Sequence, residues 1–129
     1  MTDDPICLIS NWIPKLDALP LECDGMTRCI SALLADAKIE HLVHFGELSA
    51  QGRKPIIHCW IELSSSEIVD LRARMWMGDK PGVPHGVFTH ASASAVSYMT
   101  RSKQTPDQFA ASNWLFEILT GQSLEAFKG

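Results

Sequence analysis

The stretch 56-IIHCWIEL-63 decides the fold class, because its apolar residues alternate. Successive side chains of a strand point to opposite faces. The odd positions Ile57, Cys59, Ile61 and Leu63 are all apolar, whereas Ile56, His58, Trp60 and Glu62 are mixed. The odd face is expected to meet the core, with Cys59 packing there as a small hydrophobe. His58 is expected on the other face. After the turn 64-SSS-66, the segment 67-EIVDL-71 repeats the split, with Val69 and Leu71 on one face and Ile68 and Asp70 on the other. Paired as an antiparallel hairpin, the two strands put His58 and Asp70 on the same non-core face. A carboxylate there can accept a hydrogen bond from one imidazole nitrogen and fix the tautomer. The apolar flanks of Asp70 predict that it is at least half buried, where a carboxylate needs a partner.

Working outward, residues 39–48 read as another strand and 49-SAQGRK-54 as a polar turn. From Asp24 a helix is expected, capped by Asp24 or Thr27, with Ile30, Leu33, Leu34 and Ala37 at helical spacing. Before it, residues 4–18 predict one or two short helical turns interrupted by Pro14, and Pro20 marks a turn. The Gly- and Pro-rich residues 78–86 predict a loop, and 95-AVSYMT-100 a strand. In 107-DQFAASNWLFEILTG-121, Phe109, Trp114, Leu115, Ile118 and Leu119 form a helical stripe that Gly121 can end. Helix, helix, antiparallel strands, helix is an α+β order.

A chain of 129 residues is enough for a single domain, residues 1–129, with one modest core. A net charge of −4 argues against a nucleic-acid binder and offers no polybasic signal for anionic membranes. No apolar run approaches the ~20 residues of a membrane span. The acidic opening MTDD is not a secretory signal. Cys7, Cys23, Cys29 and Cys59 show no C-x-x-C spacing and are read as reduced thiols of a cytoplasmic protein. Delivery to another cell as an effector is compatible with this reading. A zinc site from Cys23, Cys29, His58 and Cys59 is disfavoured, because His58 and Cys59 point to opposite faces.

A nucleophile is still needed beside His58 and Asp70. Cys29 falls in the first turn or so of the expected helix, where the positive end of the dipole lowers a thiol pKa. Cys23 and Cys7 are expected to pack or to be exposed thiols. Trp60, on the His58 face, reads either as a cleft wall or as simple packing.

The segments 25-GMTRCISALLADAKIEHLVHFGEL-48, 58-HCWIEL-63 and 68-IVDL-71 together resemble the transglutaminase-like branch of the papain-like cysteine enzymes. Cys29, Gly46, His58, Trp60, Glu62 and Asp70 match its pattern, over residues 24 to 73 or so. The segment 37-AKIEH-41 departs from it, lacking the Gly and Pro of the turn that follows the nucleophile helix in the family. The resemblance implies a papain-like core, with the nucleophile helix packed on a small antiparallel sheet. It also implies a triad of Cys29 as nucleophile, His58 as base and acid, and Asp70 as orienting carboxylate. The reaction would be acyl transfer through a thioester on a peptide or protein substrate, with no metal or organic cofactor. The Cys29 N–H would enter the oxyanion hole, and Asn11 and Trp12 are upstream candidates for its second donor. The alternative is a non-catalytic module that keeps the fold to grip a peptide or protein.

Overall fold

A computed structural model describes residues 4–129 of the chain. Helix α1 (Pro5–Asp17) is capped by Asp4, whose carboxylate accepts from the Ile6 N–H, and Pro5 sits where no N–H is required. Pro14 does not interrupt it, contrary to the sequence expectation. Pro14 and Ser10, four residues before it, are both exposed, so the carbonyl that loses its partner faces water. Ile9, Trp12 and Leu16 anchor the opposite side of the helix in the core.

Helix α2 (Cys23–Asp36) begins one residue earlier than expected. Its N-cap is Glu22, and neither Asp24 nor Thr27 caps it. The sheet is antiparallel throughout, in the order β4-β3-β2-β1-β5. Strand β1 (His41–Ser49) pairs with β2 (Ile56–Leu63) along its length, setting Gly46 opposite His58 and His44 opposite Trp60. The hairpin partner β3 (Ile68–Asp70) pairs with β2 in the ladder at Ile61 and Glu62. Strand β4 (Gly86–Phe88) starts in the stretch expected as loop, and β5 (Ser97–Gln104) lies slightly later than expected. A short helix, α3 (Ala73–Met77), follows β3.

The expected C-terminal helix divides into α4 (Pro106–Phe109) and α5 (Asn113–Thr120), followed by α6 (Leu124–Lys128). Ala110 is extended, Ser112 caps α5 by accepting from the Leu115 N–H, and the Ala111 N–H between them donates to the Arg28 carbonyl of α2. Gly121 ends α5 in the left-handed conformation at φ 79°.

The odd face of the hairpin carries the main core from Cys59 onward, whereas Ile57, expected there by alternation, is exposed near the start of β2. Val43, Cys59, Ile61, Leu63, Val69 and Leu71 meet α1, α2 and the phenylalanines Phe109, Phe116 and Phe127. The other face is covered as well. Leu48, Ala73, Met77, Val83 and Val96 form a second apolar cluster, against which Tyr98 packs. His58 and Trp60 are therefore buried on the face that alternation assigned away from the core. Between Phe45 and Gly46 the β1–β5 register shifts by a bulge. A Cβ at Gly46 would overlap the Met99 carbonyl oxygen of β5, so only glycine allows this approach. No helix among the described residues is long and apolar enough to cross a membrane.

Candidate active site

The β2–β3 hairpin brings His58 and Asp70 together. His58 Nε2 is 2.8 Å from Asp70 Oδ2, and both side chains are buried, at 0% and 2% exposure. Two further donors hold the carboxylate. The Tyr98 hydroxyl donates to Oδ2 at 2.8 Å, and the Arg72 backbone N–H donates to Oδ1 at 2.9 Å. The second of these is an Asx-turn contact, made because the chain curls back as β3 ends. With Nε2 committed to the carboxylate, His58 Nδ1 is the ring nitrogen left to act on another group. It is buried and makes no hydrogen bond.

The group beside the imidazole is Cys23. Because β3 leaves β2 unpaired over Ile56–Trp60 on that side, the start of α2 can approach there. Thr27 marks the approach. Its hydroxyl lies 3.5 Å from the Cys59 carbonyl oxygen and 3.6 Å from Cys59 Sγ. Cys23 stands one helical turn before Thr27, on the same side of the helix. Its half-buried thiol interacts with Cys59 and His58. Hydrogen bonding from Cys59 and then the neighbouring His58 outweigh partial burial and lower the Cys23 thiol to about 4. Burial alone would pull His58 down, but Asp70 and Cys23 raise it to about 9. The two shifts run in the directions that favour a thiolate beside an imidazolium. Cys59 moves the opposite way, raised by the adjacent Cys23 and by burial, so the charge rests on Cys23.

The helix start adds donors. Glu22 makes no side-chain cap, and the first helical bond runs from the Met26 N–H to the Glu22 carbonyl. The N–H groups of Cys23, Asp24 and Gly25 precede that bond, as the first N–H groups of any helix do. Cys23 is the first residue of α2, so its own N–H and its thiol share the positive end of the dipole.

Cys29 is not brought to this site. It lies within α2, fully buried among the main-core side chains, and burial pushes its thiol up to about 12. The helix reading centred on Asp24 put the dipole's positive end too close to Cys29. Glu22-Cys23 immediately after the Pro20 turn is the sequence signal that would have moved it back. Asn11 is exposed on α1, while Trp12 is in the main core and borders a cleft with Ala37, Lys38 and Ile39 beyond the far end of α2. Trp60 is 1% exposed and walls no open cleft. It stacks between His58 and His44, with ring centroids 6.2 Å and 5.7 Å apart, and meets Tyr98 edge-on.

No family model, curated protein or solved structure matches this chain.

Proposed function

We propose that the protein is a cysteine-dependent acyl-transfer enzyme acting on a peptide or amide substrate, with Cys23 as nucleophile, His58 as base and acid, and Asp70 as the orienting carboxylate. The observation that supports this reading is a half-buried thiol at the first position of a helix, beside an imidazole whose other nitrogen is anchored on a buried carboxylate. The resemblance to the transglutaminase-like branch of the papain-like enzymes was carried at Cys29, so with Cys23 as nucleophile only its general order is kept. The cysteine still opens a helix, and the histidine and aspartate still come from consecutive strands.

In the first half-reaction the Cys23 thiolate attacks the carbonyl carbon, and the oxyanion is met by the Cys23 N–H. His58 gives its Nδ1 proton to the leaving amine as the carbon–nitrogen bond breaks, which leaves a thioester. Water or a second amine then attacks the thioester, His58 takes the proton from this incoming group, and the Cys23 thiolate departs. Asp70 holds the ring so that Nδ1 faces the sulfur throughout.

Intact-mass analysis after brief iodoacetamide treatment at pH 6 tests the nucleophile. A single fast adduct is expected, absent in Cys23→Ala and retained in Cys29→Ala. An adduct that persists in Cys23→Ala would remove Cys23 from the mechanism. The complete burial of His58 favours a second reading, in which the fold grips a peptide without cleaving it. An acyl-enzyme trapped on Cys23 by a thioester or activated-amide substrate separates the two, since a gripping module forms none.

A further inference from the structure

The guanidinium of Arg72 is the most heavily engaged charged group outside the triad. Arg72 is 8% exposed. Its Nη1 donates to Asp17 Oδ1 at 2.7 Å and to its own neighbour's carbonyl, Leu71, at 2.9 Å. Its Nη2 donates to the Leu19 carbonyl at 2.9 Å, and its Nε donates to the Leu21 carbonyl. The backbone N–H of the same residue donates to Asp70 Oδ1 at 2.9 Å.

These contacts fall on two parts of the site that are distant in sequence. The backbone N–H fixes the carboxylate at the end of β3. The side chain fixes the end of α1 and the connector through Pro20 to Leu21, which delivers the chain into Glu22 and Cys23. That connector has little regular bonding of its own; the Leu19 N–H reaches Leu16 and the Leu21 N–H reaches Leu19. Leu19 and Leu21 pack against the main core, and Arg72 adds the polar anchor that ties this connector to the end of β3. The groups that lower Cys23 are Cys59 and His58.

We infer that Arg72 is a positioning residue of the proposed Cys23–His58–Asp70 site, clamping the Leu19–Leu21 connector to the aspartate-bearing strand end and so fixing the spacing between thiol and imidazole. The inference rests on the proposed triad and adds to it the part that sets its register. The planar fork suits the role, because it reaches several acceptors in fixed directions at once, whereas a lysine ammonium offers no such geometry.

The test is the pH dependence of Cys23 alkylation by iodoacetamide, followed by intact mass, in wild type, Arg72→Lys and Asp17→Ala. Thermal melts of each variant are recorded alongside. Asp17 contributes one of the acceptors from a partly exposed site, so its variant keeps the fold if Arg72→Lys does not. Wild type should show a midpoint well below the ordinary thiol range, and Arg72→Lys should raise it by about one pH unit or more. Asp17→Ala should move it in the same direction by less. A residue needed only for stability would lower the melting temperature and leave the midpoint unmoved. Midpoints unchanged in the folded variants, against an activated wild type, would overturn the clamp and leave the triad standing. A wild-type midpoint in the ordinary thiol range would overturn the triad, and the clamp with it.

Discussion

Two histidine–carboxylate pairs sit on one face of the sheet, on either side of Trp60, and they are built for different ends. His58 meets Asp70 at 2.8 Å and His44 meets Glu62 at 2.7 Å. In the second pair both ring nitrogens are occupied, because His44 Nδ1 also bonds the Thr100 hydroxyl at 2.8 Å. In the first pair Nδ1 has no hydrogen bond and neighbours a thiol. A carboxylate beside an imidazole is thus not enough to mark a reactive site. In the proposed function an unoccupied second nitrogen next to a thiol makes the difference, and α2 places that thiol, Cys23, beside His58.

The sharpest way to break this comparison is to remove each imidazole in turn. His58→Gln should slow iodoacetamide alkylation of Cys23 at pH 6 by about 100-fold, because the thiolate loses its neighbouring cation. His44→Gln should leave that rate within about twofold while costing about 1–2 kcal/mol of stability through its lost hydrogen bonds. Equal effects on the rate would erase the distinction between the pairs.

A smaller effect is expected at the carboxylate. Asp70 is among the causes that hold His58 at about 9. Turnover that needs the thiolate and the imidazolium together should therefore rise as pH passes about 4 and fall as it passes about 9. Asp70→Asn should bring the alkaline limb down toward the ordinary histidine range and leave the acid limb in place. His58 ring-proton shifts followed by NMR report the same change directly, and an alkaline limb that stays put would assign it to another group.

The two cysteines of α2 sharpen the comparison from the side of the nucleophile. Cys29→Ala should cost about 1–2 kcal/mol by leaving a small cavity in the main core, with no change in the alkylation rate of Cys23. Chemical denaturation and the iodoacetamide assay, run on one preparation, separate these outcomes. The smallest effect is expected for Tyr98→Phe. Asp70 keeps two donors there, so about 1 kcal/mol of stability and only a slight shift of the alkaline limb are expected.

Strand alternation was the most legible part of the sequence. It placed Cys59 toward the core and His58 with Asp70 on the other face, because parity along a strand follows from the backbone and needs no tertiary knowledge. It did not reveal that this second face is covered too. The cover comes from Met77, Val83 and Val96, which are scattered through short, irregular segments with no period of their own. The position of the proposed nucleophile was lost for a related reason. Helix starts are set by a single residue's backbone conformation, and here Glu22 occupies the cap without the side-chain bond that usually announces one. The roles of Arg72 and Tyr98 had no sequence signal, since both depend on contacts between segments far apart in the chain.

The bulge at Gly46 couples two strands that otherwise have separate tasks. A methyl group at this position would have to displace the β5 backbone at Met99, and the next residue back along that strand is Tyr98, one of the three donors on Asp70. A substitution in β1 would therefore be transmitted mechanically to the carboxylate without touching it. The tolerance of the site to change is set in part by a residue that has no side chain.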